Sequence, residues 1–284
     1  MPSLLDRRPL LIFTAATFGI SYLVGVPFLF VSTPLASQLH PLAETYLPRL
    51  YVVFGPALAA IFVVARTGGA QRVRQLLAML RPERRHVGWW LGLPVVGVLV
   101  AGGAFYLAGV PLTSLVRLMG AEGDLLLAHF ALQLGLVGVG EELGWRGWLL
   151  PHLLKRRTWL GATALIAVVW GAWHGPMLLS SPQVALPFVG LVVALSVLFT
   201  FVWSRVDGNV FVLALAHASV NAPVFFLEQM SYAGALDAVL VLKAWPWVAA
   251  CYGGLAVFVL LARWRWWRSA PVLPAGSEAI ATYS

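Results

Sequence analysis

The chain has 284 residues, 60% of them hydrophobic and only 11% charged, with a formal net charge of +8. A soluble domain carries roughly 25% charged and 45–50% apolar residues, so this balance excludes a single water-soluble globule and makes lipid part of the solvent. The excess positive charge does not point to nucleic acid, because the basic residues form short clusters between apolar runs, and the single cysteine, Cys251, excludes an internal disulfide and a cysteine-cluster metal site.

A membrane span needs about 20 mostly apolar residues. The first run, 10–31, follows Arg7 and Arg8 and so imitates a signal peptide. It exceeds the roughly 7–15 apolar residues of such a peptide and reads as a retained first span. Runs 47–65 and 88–110 come next, with Pro27, Pro56 and Pro94 inside the first three spans, where membrane helices tolerate them. Between the second and third lies a basic connection, 67–86, that suits an amphipathic helix on the membrane surface. Runs 125–146, 158–175, 185–204, 209–228 and 245–262 complete a set of eight, and Pro151 is expected to end the fourth helix after Arg146. Residues 269–284 read as a loose polar tail. The expectation is an all-α bundle of about eight transmembrane helices, forming one domain over 1–284 with its polar motifs between about 125 and 228. No internal repeat or second domain is visible.

Lysine and arginine in the connections set the orientation. Fifteen lie before span one and after spans two, four, six and eight, whereas the opposite face holds only Arg49, Arg117 and Lys243. Both termini are therefore expected in the cytoplasm, and the protein in the cell membrane as a multi-pass chain.

Of 30 charged residues, 27 fall in loops, tails or span ends; the exceptions are Glu141, Glu142 and Arg146, within "LVGVGEELGWRGWLLP". Near a helix centre each charge costs roughly 2.5–3.5 kcal/mol, on the order of 8–10 for three if nothing compensates. Glu142 and Arg146 are four apart in the order that favours an ion pair, which a structural role alone would satisfy. Glu141 faces about 100° away and meets Gly144 and Trp145 at i+3 and i+4, so it keeps no basic partner on its own helix. Such a carboxylate suits a group that takes and returns protons.

Two more polar clusters occur, "WGAWHGP" with His174 and "LAHASVN" with His217 and Asn221 on one helix face. A lone histidine in a bundle is more often a packing residue, but depth connects these. At about 1.5 Å per residue from the nearest cytoplasmic base, Glu141 and His174 lie roughly 21 and 25 Å up, and His217 and Asn221 roughly 18 and 24 Å. All four can share one layer. His129, His86, His152 and His40 fall near boundaries or loops and are given no role. The 13 tryptophans mostly suit the aromatic belts of a bilayer.

One carboxylate, two imidazoles and a carboxamide support water activation: a glutamate as general base, with histidine and asparagine donating to an oxyanion. Glu141, His174 and His217 can instead hold zinc with water in the fourth position, and spacing alone does not separate the two. H-E-x-x-H is absent, and so are the G-x-S-G and G-x-G-D words of serine and aspartyl intramembrane proteases.

The ordered set of E-E-x-x-x-R (Glu141, Glu142, Arg146), an aromatic-x-x-x-H element ending in His174, and H-x-x-x-N (His217, Asn221) resembles the CAAX-protease and bacteriocin-processing family of intramembrane endopeptidases. The words "GWRGWLLP" and "WGAWHGP" are similar to those of its bacterial members. The resemblance implies that Glu141 activates water with His174, that His217 and Asn221 stabilise the oxyanion, and that Glu142 and Arg146 shape the site or hold the substrate backbone. Trp170 stands where the family more often has phenylalanine, which bears on pocket size. The family has been described both as metal-free glutamate proteases and as metalloproteases. The expectation is thus no required cofactor, with zinc on Glu141, His174 and His217 as the alternative.

Expected partners are the bilayer and a membrane-associated protein or peptide substrate, without nucleic acid. A proton-coupled transporter is the competing class, but it would more often show paired halves with matching interrupted helices, and no such symmetry is visible. An inactive immunity or scaffold protein is a third reading, against which the intact polar set argues.

Overall fold

A computed structural model of the chain describes residues 8–36, 38–179 and 181–281. Among these the fold is all-helical, without strands. The main helices are α1 (Pro9–Leu35), α2 (Leu50–Ala78), α3 (Arg84–Leu107), α4 (Leu112–Ala121), α5 (Gly123–Leu154), α6 (Trp159–Trp173), α7 (Pro182–Arg205), α8 (Val210–Tyr232) and α9 (Ala238–Ala262). Seven of them, all but α4 and α6, are long and apolar enough to cross a membrane. The chain is a multi-pass membrane protein.

All eight apolar runs are helical, but the fifth differs from expectation. α6 has 15 residues, a rise of about 22 Å against a hydrocarbon core of about 30 Å. It stops at His174, whose φ of −84° and ψ of 26° leave the helix; Pro176, which has no N–H to continue the ladder, falls in the first turn of the short helix Gly175–Leu178 that follows. α4 was not expected as a separate element.

Pro151 does not end the fourth helix after Arg146. A π-turn, Trp145–Leu149, precedes it, and the proline falls in the first turn of the α-helical segment Leu150–Leu154. There a missing N–H matters least, so α5 runs on to Leu154. Connection 67–86 is helical as far as Ala78, because α2 continues through a kink at Gly69, whose φ of 64° suits glycine. Beyond the kink Leu76 is buried while Gln71, Arg74 and Gln75 are exposed, as an amphipathic segment requires. The supposedly loose tail is also corrected: Ala275–Ala281 is a helix with Ser277 and Ile280 buried, because its apolar Ile280 finds a place in the core.

α8 is the central helix. In its most apolar window 83% of residues are buried inside the protein, against 22% for α3, α5 and α9. Lipid is as apolar as leucine, so close helix contact in a membrane relies on small residues. Glycines provide it here. A Cβ on Gly138 would lie 2.5 Å from the Ala214 carbonyl oxygen of α8, and one on Gly144 would lie 2.5 Å from Pro56 of α2. These contacts wedge α5 between α2 and α8 and fix the rotation of the turn carrying Glu141 and Glu142.

The tightest crossing against backbone is Gly97 of α3, where a Cβ would sit 1.9 Å from the Ser219 carbonyl oxygen. Backbone at both sides leaves little room to yield. Gly97→Ala is therefore expected to destabilise the bundle by at least about 1–3 kcal/mol, the usual range for overpacking. A thermal melt in detergent checks this, and a midpoint equal to that of wild type would contradict it.

Candidate active site

α5 supplies the charges. Glu141, Glu142 and Arg146 are all buried, on a stretch framed by the π-turns Gln133–Gly138 and Trp145–Leu149. Such turns widen a helix locally and re-aim side chains, which is one reason they recur at functional sites. Glu142 Oε1 accepts from Arg146 Nη1 at 3.0 Å and from His217 Nδ1 of α8 at 2.8 Å. The ion pair expected from i,i+4 spacing therefore exists, and it also reaches across to the second motif. The Arg146 guanidinium lies over the Trp170 ring, 4.4 Å from its centroid, and 5.1 Å from that of Phe199 on α7. A weakly hydrated planar cation stacked on aromatic faces is the form of positive charge best suited to such burial.

Glu141 takes a different partner. Its Oε2 accepts from the indole Nε1 of Trp170 at 2.8 Å. The Trp170 ring also stands edge-on to His174 and to His217, each at 5.7 Å between centroids. One indole thus touches Glu141, Arg146, His174 and His217, three of which come from other helices and the fourth from the α6 terminus.

His174 is held from several sides. Its Nδ1 lies 2.9 Å from the Trp170 carbonyl oxygen, which can only accept, so Nδ1 carries the hydrogen and Nε2 presents its lone pair. Trp173 and Phe188 stand edge-on to the ring at 4.8 and 4.9 Å. Trp173 is fixed in turn by α1, its Nε1 donating to Ser21 Oγ at 2.9 Å while its carbonyl accepts from the Tyr22 hydroxyl. The first span therefore helps build the wall of the site.

Asn221 lies one turn along α8 from His217. Its Nδ2 donates to Gln133 Oε1 of α5 at 3.1 Å. The structure thus gathers Glu141, Arg146, His174 and His217 around the Trp170 ring, holds Glu142 against Arg146 and His217, and ties Asn221 to α5 and α8 one turn away.

Sequence reasoning missed Gln133 and Phe199. Gln133 carried a signal, a carboxamide inside an apolar run; Phe199, one of 15 phenylalanines, carried none. His40 and His152 have structural roles: His40 Nδ1 accepts from Leu42 N at the start of helix Pro41–Tyr46, and His152 stacks on Trp148.

In this arrangement Glu141, His174 and His217 are not drawn around a common point as a metal-binding group. Among the described residues no three His, Cys, Asp or Glu side chains converge as a metal-binding group. His217 Nδ1 and His174 Nδ1 are bonded to Glu142 and to the Trp170 carbonyl, which leaves Nε2 of each ring facing the site. No step below is routed through a metal.

The hydrogen bond from Trp170 carries a prediction. Trp170→Phe keeps an aromatic ring one turn before His174 but removes the donor to Glu141. Losing a hydrogen bond to a charged group is worth roughly 1.5–3 kcal/mol, so turnover is expected to fall by about tenfold or more. Comparison of kcat on a cleaved peptide, at equal folded fraction, checks this; an unchanged kcat would show that the bond does nothing for turnover.

No curated protein matches the chain closely enough to count as a relative. Residues 123–223 match the family model described as "Type II CAAX prenyl endopeptidase Rce1-like". The matched segment runs from the start of α5 into α8 and includes every residue gathered above except the wall contributed by α1. Over that segment, about a third of the chain, the protein is similar to the type II CAAX prenyl endopeptidases.

Proposed function

We propose that the protein cuts peptide bonds of membrane-proximal or lipid-anchored substrates with a water molecule activated by Glu141 and His174. The observation that carries this reading is the single Trp170 ring in contact with Glu141, His174 and His217. Glu141 takes a proton from water as it attacks the scissile carbonyl, and His174 Nε2 orients that water. The carbonyl oxygen becomes an oxyanion, met by hydrogen bonds from His217 and the free Asn221 N–H. Glu141 then delivers the proton to the departing amine, so the water's two hydrogens end on the new termini. His217 donates from Nε2 while its Nδ1–H bonds Glu142, and the two carboxylates supply the opposing charge for a ring protonated on both nitrogens. Arg146 Nε and Nη2 have no hydrogen-bond partner among the described residues, leaving donors for a substrate backbone carbonyl. In this reading the basic connections face the cytoplasm and the chain lies in the cell membrane.

The test presents the purified full chain, in detergent, with a library of lipidated and membrane-anchored peptides alongside Glu141→Ala and His174→Ala. Cleavage by wild type and by neither variant is expected, and it should persist after chelation in metal-free protein. Equal cleavage by all three would overturn the assignment. Loss on chelation, restored by zinc alone, would overturn the metal-free mechanism.

A further inference from the structure

Asn221 is the first member of a buried polar chain that leaves the site. Its amide donates to Gln133 Oε1; Gln133 Nε2 donates to the Tyr46 hydroxyl at 3.2 Å; that hydroxyl lies 2.8 Å from His129 Nδ1; and His129 Nε2 lies 2.6 Å from Gln229 Oε1. The path crosses from α8 to α5, passes through the short helix Pro41–Tyr46, and returns to α8 two turns beyond Asn221. Gln133 and His129 are fully buried and Tyr46 nearly so.

The donors run one way. Because Gln133 uses its oxygen toward Asn221, its nitrogen must face Tyr46. The Tyr46 oxygen then accepts, so its hydrogen goes to His129 Nδ1. That leaves the histidine hydrogen on Nε2, aimed at the carbonyl oxygen of Gln229. Reversing one amide alone would set donor against donor, or acceptor against acceptor, in a buried place where an unmet polar group is costly. In this arrangement the Asn221 carboxamide has its nitrogen toward Gln133, which leaves its second N–H as a directed donor.

We infer that Gln133, held by Tyr46 and His129, is a positioning residue for the Asn221 amide in peptide-bond hydrolysis. The inference rests on the oxyanion role proposed for Asn221. An oxyanion donor is effective when it is fixed before charge develops, because reorganisation during reaction removes much of its advantage. A single amide on a helix face has rotational freedom about χ2, and Gln133 removes it. Nothing else on α5 bonds the Asn221 nitrogen in the structure.

The experiment measures kcat and KM, on the lipidated peptide that wild type cleaves fastest, for Gln133→Met, Asn221→Ala and the double variant. Asn221→Ala is expected to lower kcat by about 10²–10³-fold, as for loss of an oxyanion donor. Gln133→Met is expected to lower kcat on the order of tenfold with KM within about twofold, and the double variant to fall no further than Asn221→Ala. A purely structural role would lower the melting temperature and leave turnover per folded molecule unchanged; that result, or losses that multiply in the double variant, would overturn the inference. Wild-type turnover by Asn221→Ala would overturn the oxyanion assignment itself, and the inference with it. Should Gln133→Met fail to fold, Tyr46→Phe decides: it leaves the Asn221–Gln133 bond but removes Gln133's own anchor. A loss of about threefold or more in kcat supports positioning, and an unchanged kcat overturns it.

Discussion

Glu141→Gln is expected to lower kcat by about 10²–10⁴-fold, the usual contribution of a positioned general base, while leaving the fold intact. The substitution is nearly isosteric, and the amide oxygen can still accept the Trp170 Nε1 hydrogen that Glu141 accepts at 2.8 Å. What it loses is the ability to take a proton. Glu141 is in no direct ion pair among the described residues, and Glu142 still bonds both Arg146 and His217, so the fold should survive its neutralisation. Steady-state kinetics and a thermal melt on the same preparation check both halves. Wild-type turnover would remove Glu141 from the chemistry, and a collapsed melt would mean the carboxylate is structural.

Glu142→Leu is expected to behave in the opposite way, with a large loss of stability. Glu142 holds Arg146 at 3.0 Å and His217 at 2.8 Å, and neither of those two nor Glu142 itself is appreciably exposed. Removing one partner of a buried ion pair costs about 3–5 kcal/mol because the other charge is left unmatched. Replacing both, as in Glu142→Leu with Arg146→Met, should recover most of that stability, since well-packed apolar residues often match a buried pair. Activity should not return, because His217 would still lack the carboxylate that orients it. Thermal melts of the single and double variants decide this. A single variant as stable as wild type, or a double variant no better than the single, would show that charge balance is not what holds this layer.

The contrast between the adjacent glutamates was half visible in the sequence. Four-residue spacing gave Glu142 to Arg146 and left Glu141 over, because intrahelical neighbours are fixed by periodicity. The His217 contact, between residues 75 apart in sequence, depends on how α5 and α8 pack and was not legible. The same division runs through the fold. Apolar runs located all eight long or intermediate spans, since lipid imposes both length and composition. The extension of α5 past Pro151 depends on a π-turn, which has no composition signal. The packed helix Ala275–Ala281 was masked by its small polar residues, with only Ile280 to announce a buried face. Trp170 was chosen as a pocket-shaping residue on family resemblance; that its indole nitrogen would bond Glu141 follows from side-chain placement alone. Gln133 was readable as an oddity, a buried amide among leucines, but its meaning depends on Asn221 and Tyr46, both distant in sequence.

The claim that Glu141 and His174 act on one water is tested most directly by combining Glu141→Gln with His174→Ala and comparing kcat with that of each single variant. Residues that act as a unit are strongly non-additive, so the double variant is expected to be no slower than the slower single one. Losses that multiply, or wild-type turnover by either single variant, would contradict the account.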